Sequence, residues 1–170
     1  MLINEIFDTK ALIHWSQKDD VAVGEFELNQ KLYRILLEEG EWELPSGNIK
    51  TFLNIAFVRV LGKDNEIERT ALTYDSPDAA KVLGAVFNGI EEKVNHISKY
   101  DAVTFGARAD EHERMRLYNK IVPLYLKDFG SVIKNVLTPS GGLVTILFKD
   151  SKESGMQEFL DFLKKKSKIT

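Results

Sequence analysis

Residues 99–129 read KYDAVTFGARADEHERMRLYNKIVPLYLKDF. Ala102 to Phe105 is a short apolar run of strand character, and Gly106-Ala107 supplies a small-residue turn. A helix then starts near Asp110 or Glu111, where the acidic first turn suits the positive end of the helix dipole. Met115, Tyr118, Val122 and Tyr125 share one face of it, and Pro123 is expected to kink or shorten it. The same helix carries Arg114, Arg116 and Tyr118. A strand leading straight into a helix predicts a domain that mixes the two kinds of element.

Upstream of this stretch the period is helical. Leu83, Phe87, Ile90, Val94 and Ile97 recur at steps of four, three, four and three, one stripe of a helix from about Pro77 to Ser98. Asp75 or Ser76 can cap it, and Pro77 suits the first turn, where its missing N–H costs nothing. Further upstream the period is that of strands. Ala11 to Trp15 is a short apolar run, Val21 to Leu28 alternates, and Asn29-Gln30 sits where a hairpin turn would lead into Leu32 to Leu37. A polar loop around Pro45-Ser46-Gly47-Asn48 precedes the β-branched and aromatic segment Phe52 to Leu61. Gly62-Lys63-Asp64-Asn65 marks a turn before a strand over Glu66 to Tyr74. The expected first half is an antiparallel meander.

Downstream, Leu143 to Phe148 reads as a strand after Pro139-Ser140-Gly141-Gly142. A closing helix carries Met156, Phe159, Phe162 and Leu163. No repeat, low-complexity tract or linker interrupts the chain, so residues 1–170 are expected to form a single α+β domain.

Composition narrows the function classes. The chain has no cysteine, which removes disulfides, thiolate metal sites and cysteine nucleophiles. His14, His96 and His112 show no metal-ligand spacing, so no metal site is expected. A net charge of −3 and a pI near 5.7 argue against nucleic-acid binding. The Lys164-Lys165-Lys166-Ser167-Lys168 tail reads as the basic end of a helix. No run approaches the ~20 apolar residues that span a membrane. The start, MLINEIFDTK, lacks the pattern of a signal peptide, so a cytoplasmic protein is expected.

The order of meander, long helix, strand, helix, strand resembles the core of the GNAT acyl-CoA N-acyltransferases. Thr73 to Asp128 is similar to small GNAT-like proteins encoded by phages. Three motifs carry the likeness: Lys81-Val82-Leu83-Gly84-Ala85-Val86-Phe87, Phe105-Gly106-Ala107, and Arg114-Met115-Arg116-Leu117-Tyr118. The resemblance implies a cleft between the fourth and fifth strands for acetyl-CoA. It places Ser76, Ala79, Ala80 and Arg114 near the cofactor, and Tyr118 as the acid that would protonate the departing thiolate.

The loop that would hold the pyrophosphate departs from the family. Active members carry glycines there, which let backbone N–H groups approach the phosphates. Here the loop is Tyr74-Asp75-Ser76-Pro77-Asp78-Ala79-Ala80, without glycine, with two carboxylates and with one donor removed by Pro77. At about 5 Å and an effective dielectric near 20, each carboxylate would repel a phosphate charge by about 3 kcal/mol. Two functions are therefore expected from different classes. One is a catalytically silent module that binds a viral or host protein, in a virion or an infected cell. The other is an N-acyltransferase with a divergent cofactor site. For the binding function the candidate residues are Trp42, Glu41 and Glu43, an aromatic set within an acidic run that includes Glu38 and Glu39.

Overall fold

The computed structural model describes residues 10–61, 66–68, 77–107, 116, 119–120, 122–124, 132–137, 143–148 and 161. The strands are β1 (His14–Lys18), β2 (Val21–Leu28), β3 (Lys31–Glu43), β4 (Ile49–Leu61), β5 (Glu66–Glu68), β6 (Ala102–Ala107), β7 (Val132–Leu137) and β8 (Leu143–Phe148). Helix α1 (Pro77–Val94) and a 3-10 turn at Ile97–Lys99 lie between β5 and β6. Among the described residues the architecture is α+β, with one mixed sheet.

The meander forms where the turns allow it. Asn29 and Gln30 both take positive φ, 52° and 64°, the two-residue turn whose twist matches the flanking strands. Leu28 therefore pairs directly with Lys31, and the ladder runs back to Val21 opposite Glu38. The β3–β4 turn is closed by Gly47 N–H to Leu44 C=O and Leu44 N–H to Asn48 C=O, both 2.8 Å. Gly47 sits at φ 88°, where a side chain would be strained.

The sheet order is β1-β2-β3-β4-β6-β8-β7, with β5 also paired to β4. Neighbours are antiparallel except β4 and β6, which run parallel. A parallel pair needs a crossover, and α1 lies in it. Its stripe is buried: Leu83, Phe87 and Ile90 are 0% exposed, and Val82, Ala85 and Val86 on the flanking positions are equally enclosed. Burial of each large side chain among them is worth about 1.5–3 kcal/mol. They pack on Phe26, Tyr33, Ile35, Leu37, Leu53, Ile55, Phe57, Val103 and Phe105 from the strands, with Val122 in the same cluster.

Several boundaries differ from expectation. The helix stops at Val94, not Ser98, because Asn95 and His96 turn to positive φ. The Glu91 carboxylate closes that end: one oxygen accepts from Ile97 N–H at 3.0 Å, and the other lies 3.1 Å from His96 Nδ1. Ile97 still reaches the core, at 1% exposure, from the 3-10 turn. β1 begins at His14 rather than Ala11, although Ala11 and Ile13 do pack on the core. β3 and β4 run to Glu43 and from Ile49, longer than their apolar stretches, since a tight hairpin carries the ladder into polar sequence. β7 was not expected. Its apolar residues, Val132, Ile133, Val136 and Leu137, alternate imperfectly, and only β8 reveals it as a strand. Of the expected helix after β6, Arg116, Asn119, Lys120 and residues 122–124 are described, and all are helical, Pro123 included. Of the closing helix only Asp161 is described, also helical.

Candidate functional site

Two places in the sheet could carry a function. The first is the fork between β4 and β6. Their parallel register covers Phe52–Ala102, Leu53–Val103, Asn54–Thr104 and Ile55–Phe105, and there it ends. Beyond it β4 continues to Leu61, while β6 follows β8 through Gly106 and Ala107. Phe105, the last residue of the shared register, is fully buried against Phe87, the rings edge to face with centroids 5.6 Å apart. On the other face Thr104 Oγ1 donates to Asn54 Oδ1 at 2.8 Å, tying the two strands just before they separate.

The outer part of the β4 edge beyond the fork, at Arg59–Leu61, is occupied. β3 occupies one edge of β4 as far as Val60. β5 pairs antiparallel with Arg59, Val60 and Leu61, so it must lie on the other edge, the one that faces β6 lower down. The segment expected as the next strand of the meander thus turns back into the opening. Its pairing is described over Glu66–Glu68; residues 69–74 of the expected strand Glu66 to Tyr74 lie outside the described residues.

The second place is the far end of the β3–β4 hairpin. β2 leaves β3 after Glu38, and β6 meets β4 only from Phe52, so residues 39–51 form a two-stranded arm beyond the sheet. Two consecutive residues before β6 grip its base. The Tyr100 hydroxyl donates to Glu39 on β3. The Asp101 carboxylate accepts from Thr51 N–H at 2.9 Å and from Thr51 Oγ1 at 3.2 Å on β4, and Asp101 N–H donates to Thr51 C=O at 3.0 Å. Burial first, then the hydrogen bond and charge of Glu39, push the Tyr100 hydroxyl above its ordinary range, so it remains a donor at neutral pH.

Strand alternation divides the arm's side chains. Glu39, Glu41 and Glu43 share the face of Ile35 and Leu37; Glu38, Gly40 and Trp42 share the other. Trp42 is half-buried and lies flat on Phe52, centroids 4.0 Å apart and planes 15° from parallel. Gly40 is the register partner of Phe52, and a Cβ there would come within 2.3 Å of the Phe52 ring. An aromatic ring laid over a cross-strand glycine explains why that position carries no side chain. Gly40→Ala is expected to push the ring aside and break the stack. The loss of about 0.5–1.5 kcal/mol of aromatic pairing outweighs the small gain from replacing a strand glycine. Tryptophan fluorescence should change while the far-ultraviolet spectrum stays the same; an unchanged emission maximum would contradict this geometry.

Trp42, Glu41 and Glu43 therefore stand on one arm, but the aromatic and the two exposed glutamates point to opposite faces. Ala79 and Ala80 fall in the first turn of α1. Ser76, Arg114 and Tyr118 lie outside the described residues. Sequence reasoning passed over Phe52, Gly40, Tyr100 and Asp101, which shape and hold the arm. A glycine set among glutamates, Glu39-Gly40-Glu41, was the one visible signal.

Elsewhere, a cavity of about 350 Å³ lies between residues 11–15 and the end of α1, lined by Ile13, Trp15, Gly89, Glu92 and Lys93 among others. Neither strand of the fork contributes to it. Lys93 Nζ sits 5.6 Å from the Trp15 ring centroid, a cation–π contact between two of its lining residues. Among the described residues no group of three or more His, Cys, Asp or Glu could hold a metal ion, and no helix is long and apolar enough to cross a membrane. No protein-family model, curated protein or solved structure matches the chain.

Proposed function

We propose that this chain is a GNAT-like module without acyl-transfer chemistry, of the kind phages encode, which works by binding another protein. With the short β5 set aside, its strands follow an antiparallel meander, one parallel neighbour reached across a helix, and a closing antiparallel pair. Together with the motifs at residues 81–87 and 105–107, that order supports the GNAT-like arrangement. In such a fold the fork between the parallel strands is where acetyl-CoA would enter.

The observation that carries the silent reading is the β5 ladder on β4. An edge whose peptide groups at 59–61 are paired with another strand cannot also receive a cofactor chain laid along it. Phe105 closes the inner end of the fork, and the acidic loop over Asp75 and Asp78 disfavours a pyrophosphate by charge. A binding role takes its support from the arm, where an aromatic stack and exposed carboxylates extend past the body of the sheet.

Thermal unfolding in the presence of acetyl-CoA tests this. A ligand at about 100 times its dissociation constant stabilises the fold by about 2.7 kcal/mol. The expected result is no change in unfolding temperature at millimolar acetyl-CoA. A saturable rise would overturn the reading in favour of an N-acyltransferase, with Tyr118 as the first residue to replace.

A further inference from the structure

The arm has an open backbone edge, and its polarity can be worked out from the turns. Leu28 and Lys31 flank a two-residue hairpin turn, so they form a hydrogen-bonded pair. Odd-numbered residues of β3 accordingly aim their N–H and C=O groups toward β2. The other end agrees: Leu44 N–H reaches Asn48 C=O, so even-numbered residues face β4. The β2 ladder ends at Val21–Glu38. Past that point Glu39, Glu41 and Glu43 aim amide and carbonyl groups outward, with no strand beside them among the described residues. Residues 39–43 span about 13 Å at 3.3 Å per residue, room for a short added strand.

Such an edge is a template for pairing, and the side chains beside it select what can pair. The three residues that offer their backbone are all glutamates. Glu39 is engaged by the Tyr100 hydroxyl. Glu41 and Glu43 are exposed on one face, two residues and about 7 Å apart. A second copy of the same edge would set carboxylate against carboxylate. A strand with cations at alternate positions would set charge against charge in register, because side chains of paired strands on one face lie about 5 Å apart.

We propose, resting on the protein-binding reading above, that the edge at Glu39–Glu43 takes an extended segment of a partner protein as an added strand. That segment carries Lys or Arg at alternate positions, opposite Glu41 and Glu43. Backbone hydrogen bonds hold it along the edge, and the two carboxylates set its register. Trp42 and Phe52 form an apolar floor on the opposite face for the residues between the cations.

The test uses the whole chain and a seven-residue probe peptide, Thr-Lys-Val-Lys-Val-Lys-Thr, with amide resonances and hydrogen exchange as readouts. Binding should protect the amides of Glu41 and Glu43 and weaken with salt. Exchanging the lysines for glutamates, or N-methylating alternate peptide amides, should each weaken it about tenfold or more. The double change Glu41→Lys with Glu43→Lys should reverse the charge preference while leaving the unfolding temperature near that of the parent. Equal affinity for the N-methylated peptide overturns strand addition, and no protection at millimolar peptide overturns the site. Protection that grows with protein concentration alone, alongside dimers in sedimentation, also overturns it in favour of a second copy. Each of these results leaves the acetyl-CoA outcome untouched, so a failure here is separable from a failure of the binding reading.

Discussion

Phe105→Ala is expected to lower the free energy of unfolding by about 3–5 kcal/mol, a large part of the 5–15 kcal/mol that a domain of this size has in total. Phe105 is 0% exposed at the last shared register of β4 and β6, and it meets Phe87 edge to face. The truncation removes the transfer energy of the ring, the aromatic pairing, and the packing of the atoms around the space left behind. Little can move in to fill that space. Ile55 and Val103 are held by the ladders on both sides, and α1 is pinned by a continuous apolar surface from Val82 to Ile90. Phe105→Leu, which keeps most of the volume, should recover more than half of the loss. Denaturant unfolding of the three proteins measures this. A loss for Phe105→Ala below about 1 kcal/mol would mean that the fork is loosely packed and that Phe105 does not close it.

Asp101→Ala should cost about 2 kcal/mol, with its effect concentrated in the arm. The carboxylate accepts two hydrogen bonds from Thr51, one from the backbone and one from the hydroxyl. Hydrogen bonds to a charged group are worth about 1.5–3 kcal/mol when buried and less when partly solvated, as here. The bond from Asp101 N–H to Thr51 C=O survives the substitution, so β6 should remain in register. The amides of residues 49–51 should exchange faster, while those of Leu53 and Ile55 keep their protection. Uniformly faster exchange along the whole of β4 would show that Asp101 supports the sheet at large and not the arm. The same variant bears on partner binding: an arm loosened at its base presents a less ordered edge and should bind the basic peptide more weakly.

Much of the architecture was legible because local chemistry and tertiary context agreed. Val21–Leu28 alternates and is flanked by a turn that only positive φ can make, so its boundaries and its partner both follow from the sequence. Leu83, Phe87, Ile90 and Val94 gave the helical face through their spacing alone. Misreadings arose where the deciding partner is far away in sequence. β3 extends through Glu38 to Glu43, a stretch of poor strand formers, because β4 runs alongside it and a closed turn joins them. β7 has only β8 to define it. Glu66 continues the strand signal, but nothing in its own residues says which edge of β4 it will join.

The candidate site divides in the same way. The sequence alone picked out Trp42, Glu41 and Glu43 as an aromatic within an acidic run, and the missing glycines of the loop before α1 as an obstacle to a phosphate. These are properties of residue type, available before folding. The tertiary structure decided that Trp42 lies on Phe52, that the glutamates face the other way, and that β5 takes up the inner edge of β4 at Arg59–Leu61. It also decided that Tyr100 and Asp101, more than 45 residues from their partners, hold both strands of the arm. The physical reason is range. Turn preference, periodicity and charge act between near neighbours, whereas an open strand edge is defined by which distant strands stop short of it.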